Sequence, residues 1–259
     1  MTFIIKNDII ASPRLGIPHG FSTRLGGVSE GMFASMNLGP SRGDNPDHVR
    51  ENFRRFCGLA GCDPLRMVRT HQVHGGYVHP VGAQDAGDAL ASGAPCDCDG
   101  LMTDAAGVTL MIFSADCIPV LLFDPVRRAI AAVHAGWRGT ALRIAAEALR
   151  QMSEVYGSRP ADVRAAIGPG ISACCFETDA DVPEAMPWAE KHIKTIGRQR
   201  FSVDLKATNR QLLLEAGVPP EQIAVSKDCT MCRSDLFWSH RRDGAQRGSM
   251  AAVIMLPEG

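Results

Sequence analysis

The sequence predicts a single-domain α/β protein of the mixed α+β kind over residues 1–259. Three observations carry this expectation. Short apolar runs of strand character alternate with segments of helical period. At ~150 residues per domain, the length admits one large or two small domains. No linker, internal repeat or low-complexity tract divides the chain, so one large core is expected.

Residues 2–5 and 17–22 read as short strands, followed by a glycine-dense loop from Ser22 to Gly39 that carries Arg24. Asn45 and Pro46 open a helix, one as cap and the other at the first helical position. Val49, Phe53, Phe56, Cys57 and Ala60 form its core stripe, and Gly61 and Pro64 close it. Residues 65–78 read as extended, with Gly75 and Gly76 marking a bend. Residues 82–97 are a small-residue loop, and residues 99–103, 108–113, 119–123 and 129–133 are strands. From Thr140 a helix with a wide apolar stripe runs to Gly157. Residues 163–167 form a strand, 179–194 a broken helix or loop, 204–216 a capped helix, and 223–226 and 249–256 the last strands.

The formal charge of −1 gives no global basic footprint for nucleic acid or a membrane surface. No apolar run approaches the ~18 residues of a membrane span. Nine cysteines, an odd number, and a start without a basic, then apolar leader lead us to expect free thiols and a cytoplasmic location.

The stretch from Ser114 to Thr140 concentrates the chemistry. Asp124-Pro-Val-Arg127 has turn composition, so the flanking runs read as a hairpin. A turn centred between Pro125 and Val126 pairs residues whose numbers sum to 251, which sets Cys117 opposite His134. Such neighbours have Cβ atoms roughly 4.5–5.5 Å apart. Thiolate and imidazole are preferred zinc ligands, and a histidine from the 71–74 segment would complete a three-ligand site with an open position. His71 and His74 face opposite sides if that segment is a strand, and the residues alone do not choose between them. Zinc would lower the pKa of its water to about 7 and permit hydrolytic deamination. The same Cys117 and His134 also read as a nucleophile and its base. Asp116 either orients a ligand and shuttles a proton or caps the turn. Arg24, Arg138, Arg241 and Arg242 are candidates for a phosphate or carboxylate, and Gly136 to Thr140 forms a strand-to-helix junction suited to anions. Cys96-Asp-Cys98 and Cys229-Thr-Met-Cys232 each lack a second pair at zinc spacing, and Cys174-Cys175 reads as packing. Eight histidines without a His-x-His pair argue against multicopper chemistry.

Nine segments resemble one family in order: Thr23-Arg-Leu-Gly-Gly-Val-Ser, Ser35-Met-Asn-Leu-Gly, Gly43-Asp-Asn-Pro-Asp-His-Val, Gln72-Val-His-Gly, Asp99-Gly-Leu, Ala115-Asp-Cys-Ile-Pro-Val, His134-Ala-Gly-Trp-Arg-Gly, Ile167-Gly-Pro-Gly-Ile and Arg241-Arg-Asp-Gly. This is the polyphenol oxidase or laccase-domain family, reassigned as multifunctional purine nucleoside phosphorylases and including peptidoglycan-editing members. The resemblance implies a zinc site of His74, Cys117 and His134, with copper as the older alternative, and so selects His74 over His71. It implies phosphorolysis of adenosine, inosine and methylthioadenosine, and deamination of adenosine. Nucleosides and phosphate are the implied partners, with Arg24, Asn37, Arg138, Arg241 and Arg242 as candidate binding residues beside a catalytic Asp116. The implied fold is a mixed-sheet sandwich flanked by helices, related to toxin deamidases that use Cys and His. That kinship keeps a cysteine amidase acting on peptidoglycan precursors as the alternative. The chain departs from the family's Thr-Gly-Arg-Met closing element at Ala245-Gln-Arg-Gly-Ser-Met, which leaves Arg247 without an implied role.

Overall fold

A computed structural model describes residues 3–6, 8–88, 90–91 and 96–258. Residue 2 of the expected first strand, and residues 89 and 92–95 of the expected loop, lie outside it. In chain order the strands are β1 (Ile4–Lys6), β2 (Ile9–Ala11), β3 (His19–Ser22), β4 (Met67–Arg69), β5 (Val78–Pro80), β6 (Gly100–Thr103), β7 (Thr109–Ser114), β8 (Ile118–Asp124), β9 (Ala129–Ala135), β10 (Arg164–Ile167), β11 (Glu177–Thr178), β12 (Ile193–Gly197), β13 (Arg200–Val203), β14 (Ile223–Val225) and β15 (Met250–Met255). The helices are α1 (Pro46–Ala60), α2 (Trp137–Ala141), α3 (Ile144–Tyr156), α4 (Asp181–Ala185), α5 (Leu205–Glu215) and α6 (His240–Asp243).

Two six-stranded mixed sheets dominate, ordered β1-β2-β3-β15-β7-β4 and β14-β10-β8-β9-β6-β5. Each is largely antiparallel; β4–β7, β5–β6 and β10–β14 are the parallel pairs. The alternation of side chains builds four layers. Leu110, Ile112 and Ile254 from the first sheet meet Leu121, Ile130 and Ala132 from the second. On the outer face of the first sheet, Met67, Met111 and Val253 pack against Val49, Phe53 and Phe56 of α1. On the outer face of the second, Val120, Leu122, Ala131 and Val133 pack against Ile144, Leu149 and Met152 of α3 and Leu213 of α5. Every residue of β8 and β9 is buried. That two-sided burial explains why their sequences read as unbroken apolar runs.

α1 begins as its sequence dictates: the Asn45 side chain accepts the Asp47 N–H at 2.9 Å, a cap worth about 1 kcal/mol. Gly61, at φ 71°, closes the helix in the left-handed conformation. Asp204 caps α5 in the same way, through the Ala207 N–H at 2.9 Å.

Three expectations are corrected. The hairpin register pairs Pro119 with His134 and Ile118 with Ala135, a sum of 253 rather than 251. Asp124 Oδ1 accepts the N–H of both Val126 and Arg127, and Arg128 turns left-handed at φ 53°, so the loop closes one residue later. Residues 65–78 are not continuously extended: β4 ends at Arg69, and His74 sits at φ 59° in a tight loop. The helix after Thr140 is two helices, because Arg143 at φ 61° separates α2 from α3. A third, antiparallel sheet of β11, β13 and β12 was not expected from the sequence.

Candidate metal centre and clefts

The register error was two residues, so Cys117 and His134 keep the same face. That face points between the sheets, as for Leu121 and Ile130. Cys117 precedes β8 and His134 lies near the end of β9, so both stand at one edge of the inter-sheet layer. The 71–77 loop delivers His74 to the same edge. Cys117 Sγ lies 3.9 Å from His74 Nε2. The His74 and His134 rings meet edge-on, with centroids 4.9 Å apart. One ligand atom from each of the three residues lies within 4.8 Å of the others, so they can hold one ion. Asp97 takes His71 instead, at 2.7 Å on an exposed surface.

Two buried carboxylates hold this arrangement. Asp99, just before β6, is fully buried. It accepts the N–H of Val73 at 3.1 Å, His74 at 3.0 Å and Gly75 at 2.7 Å, and binds His134 Nδ1 at 2.7 Å. Three successive N–H groups converging on one carboxylate fix His74 in its left-handed conformation. The bond to His134 Nδ1 leaves Nε2 free to act as the ligand. Asp116, itself at φ 94°, accepts Thr230 Oγ1 at 2.6 Å, Ser239 Oγ at 3.0 Å and the Arg241 N–H at 2.7 Å. With three donors engaged, Asp116 positions Cys117. The sequence placed Asp99 in a motif but gave it no role, because its partners come from two distant segments.

The electrostatics favour a thiolate at Cys117. Burial pushes the Cys117 thiol up, yet the charge and hydrogen bonds of His134 and His74 overcome this and bring it down to about 6. Burial pushes His134 down, and Cys117 and Asp99 raise it to about 9. Burial also opposes ionisation of Asp99, and His134 with the Gly75 N–H holds its carboxyl below the ordinary range. The backbone leaves room at the centre: a Cβ on Gly136 would lie 3.1 Å from His74 Cδ2 and 3.2 Å from Cys117 Sγ. The donor set, the spacing and this glycine all fit a zinc-type ion.

Two clefts meet at this point. One, of about 350 Å³, is walled by Trp137, Ile171, Phe176 and Leu205, with Arg138 and Arg241. The other, of about 260 Å³, is lined by Arg42, Gln72, Phe113, Ser114, Arg247 and Ser249. His74, Ala115, Cys117 and His240 line both. A roomier recess of about 490 Å³ beside Arg14 and Arg164 gathers no such ligands.

Of the expected anion-binding residues, Arg138 and Arg241 reach a cleft. Arg24 does not: it lies 3.8 Å from the Trp238 ring centroid and donates to Ser234 and Ala34 carbonyls. Arg242 is held by Asp243 and by the carbonyls of Thr230, Met231 and Phe237. Asn37 is buried behind the cleft, where its Oδ1 accepts the Ser249 N–H at 2.9 Å. The Gly136–Thr140 junction starts only the five-residue α2, too short to carry the dipole argument. Sequence reasoning missed Arg42 and left Arg247 unassigned. Burial first, and then the neighbouring Arg42, push Arg247 down to about 10. Its Nε has no hydrogen-bond partner. Among the described residues, no carboxylate pairs with Arg42, Arg138, Arg241 or Arg247.

A family model described as "Multi-copper polyphenol oxidoreductase laccase" matches residues 18–257. The chain is 40% identical to a purine nucleoside phosphorylase of Deinococcus radiodurans over 96% of this chain and 93% of that one. It is 38% identical to purine nucleoside phosphorylase YlmD of Geobacillus stearothermophilus, over 94% and 92%. The crystal structure of Bacillus licheniformis hypothetical protein YfiH superposes with a TM-score of 0.92 at 36% identity, covering 98% of both chains. No helix among the described residues is long and apolar enough to cross a membrane. By sequence match and by fold, the chain belongs to the multi-copper polyphenol oxidoreductase laccase family, whose curated relatives include purine nucleoside phosphorylases.

Proposed function

We propose that this chain, acting as one domain in the cytoplasm, is a zinc-dependent purine nucleoside phosphorylase for adenosine, inosine and methylthioadenosine, with adenosine deaminase activity at the same centre. One observation carries the reading. The His74–Cys117 wall stands between a compartment faced by Trp137 and Phe176 and one where Arg42 and Arg247 meet the side chains of Gln72, Ser114 and Ser249. A nucleoside and a phosphate need such different neighbours, meeting at one point. The names of the relatives support it.

Phosphate is assigned to Arg42 and Arg247, whose mutual repulsion a dianion relieves. Ser249 Oγ and the neighbouring Gln72 complete that compartment. The purine is assigned to the Trp137 and Phe176 wall, beside Arg138 and Arg241. A phosphate oxygen then forms a bond to the ribose anomeric carbon as the bond to the purine nitrogen breaks. The electron pair leaves on the purine, where fixed guanidinium donors oppose its charge without reorganising. Arg24, Asn37 and Arg242 serve behind these walls. An ion held by His74, Cys117 and His134 would supply Lewis acidity and an acidified water. Asp99 holds the His134 tautomer, and Asp116 aims Cys117.

The test is incubation of metal-loaded protein with adenosine, with and without phosphate. Phosphate-dependent release of adenine and ribose 1-phosphate, lost in Cys117→Ala, is expected. No turnover of any of the three nucleosides overturns the reading. Metal analysis of the purified chain, taking the metal that Cys117→Ala loses, decides between zinc and copper.

A second reading rests on the Asp99–His134–Cys117 chain, in which the thiol is already biased to thiolate. That is the arrangement of a cysteine amidase, in line with kinship to Cys-His toxin deamidases and with editing of peptidoglycan precursors. It predicts amide hydrolysis that survives chelators and is abolished by thiol alkylation.

A further inference from the structure

The sequence contains a Cys-x-x-Cys at 229–232 with no partner pair at zinc-finger spacing. The fold supplies that pair. The loop after β10 brings Cys174 and Cys175 against Cys229 and Cys232. Cys174 Sγ lies 3.6 Å from Cys175 Sγ and 3.7 Å from Cys232 Sγ, and Cys175 and Cys232 are 3.3 Å apart. All four sulfurs lie within 4.8 Å of one another. Four thiolates at the ~2.3 Å zinc–sulfur distance, arranged tetrahedrally, stand roughly 3.8 Å apart. The observed spacings are close to that value. They are far from the ~2.05 Å of a disulfide, and all nine cysteines are free.

The surroundings suit a charged thiolate cluster. Cys229 Sγ accepts the Ser172 N–H at 3.4 Å, and the N–H groups of Met231 and Cys232 also face it. Lys206 is 5% exposed and forms no ion pair with a carboxylate among the described residues. Its Nζ donates to the Asp228 carbonyl, and its charge lies close enough to feel Cys229 and Cys174. Cys174 and Cys232 are exposed, so an ion can enter from solvent.

We propose that Cys174, Cys175, Cys229 and Cys232 form a second metal site, a four-thiolate centre for one zinc ion, separate from His74, Cys117 and His134. The four thiols lose their protons to solvent as four zinc–sulfur bonds form. No oxidant or reductant takes part. The ion clamps two loops that meet through a Gly170–Cys229 bridge, with the Thr230 N–H donating to the Gly170 carbonyl at 3.2 Å. One of them carries Ile171 and Phe176 into the aromatic cleft, and its Cys175 and Glu177 carbonyls accept Arg241 Nη1. The other carries Thr230, which holds Asp116. The centre therefore braces the wall on which Arg241 and Asp116 depend, and it stands whatever substrate the cleft takes.

The test counts metal in a chain whose first site has been removed. His74→Ala/Cys117→Ala protein, purified in reductant, is expected to retain one zinc per chain. Adding Cys174→Ser and Cys232→Ser is expected to abolish it. Cobalt-loaded wild type gives a reading that needs no variant to fold. Its thiolate-to-cobalt charge-transfer absorption should have the intensity of five cobalt–thiolate bonds, one from Cys117 and four from the cluster. A folded His74→Ala/Cys117→Ala chain without zinc, or wild-type absorption worth a single thiolate bond, overturns the proposal.

Discussion

Replacing Asp99 with Asn removes one negative charge and almost no volume, so it isolates what that carboxylate does. Oδ2 accepts the N–H of Val73 and Gly75, and Oδ1 accepts the His74 N–H and binds His134 Nδ1. An amide keeps one acceptor oxygen. Whichever way it is turned, its NH₂ group confronts two partly or fully buried groups that Asp99 satisfied. Each lost partner costs about 1–3 kcal/mol, so the fold should lose about 2–6 kcal/mol. If the NH₂ faces His134, Nδ1 must give up its hydrogen and accept. The proton then moves to Nε2, the atom needed as ligand. Loss of such an outer partner weakens metal binding about 10–100-fold. Competition with a chromophoric chelator reads the affinity, and urea denaturation of the metal-free chain reads the fold. If Asp99→Asn holds the ion as tightly as wild type and loses less than about 1 kcal/mol, the assignment of Asp99 as the organising carboxylate is wrong.

Arg42→Ala or Arg247→Ala should raise KM for phosphate about 10–100-fold, the loss of a charge-assisted hydrogen bond of roughly 1.5–3 kcal/mol, while KM for adenosine changes little; equal effects on both substrates would refute the division of the clefts. Gly136→Ala should lower metal retention at the His74–Cys117–His134 centre alone, with the four-cysteine ion and far-ultraviolet circular dichroism unchanged, because the added Cβ sits 3.1–3.2 Å from His74 and Cys117; a variant with full metal content would show that the gap is not needed. His19 accepts the Ser12 N–H through Nε2 and donates Nδ1–H to the Ile17 carbonyl, so burial holds it neutral and its pKa below 6.5. Its contribution is therefore whole above the unfolded value near 6.5. That contribution is lost as pH falls, at no more than about 1.4 kcal/mol per pH unit for one proton; His19→Gln, though less stable at neutral pH, should show a flatter profile in urea melts between pH 7.5 and 5.5, and parallel profiles would refute this.

How far the sequence is legible depends on whether a feature is local. Asn45-Pro46 and Asp204 fix helix starts through contacts two or three residues away, and both appear where expected. The β8 and β9 runs are equally visible, but their register is not. Pairing sums of 251 and 253 bury the same faces, and only the loop decides between them. Nothing in an arginine announces the left-handed Arg128 that lengthens this loop. The β12–β13 hairpin was invisible for another reason. Ile193–Gly197 is mostly exposed and its two isoleucines stand three residues apart, so its pairing leaves no apolar alternation. His74 could be preferred to His71 only through the family motif, because its side chain is aimed by Asp99, 25 residues away. The four clustered cysteines escaped for the same reason. Each pair is conspicuous alone, and only the meeting of the β10 loop with the 229–232 turn shows that they share a site.

The two irregular backbone positions at the metal centre have a common explanation. His74 and Asp116 both take positive φ, a conformation that costs a non-glycine residue of order 1–3 kcal/mol. In both cases a buried carboxylate meets the cost. For His74 it is Asp99, through three N–H groups of the loop. For Asp116 it is its own side chain, tied to Thr230, Ser239 and the Arg241 N–H. Neither set of bonds involves a ligand atom of the ion. The His74 imidazole and the Cys117 thiol are therefore aimed before any metal arrives. Binding then spends little on reorganising the backbone, and the centre's affinity is controlled by residues that never touch the ion. The two carboxylates draw on different parts of the chain: Asp99 joins the 73–75 loop to β9, and Asp116 joins the start of β8 to the 230–241 segment. Damage to one should leave the other's half of the site in place. Loss of Asp116 contacts, as in Thr230→Val with Ser239→Ala, should misplace Cys117 while His134 keeps its bond to Asp99.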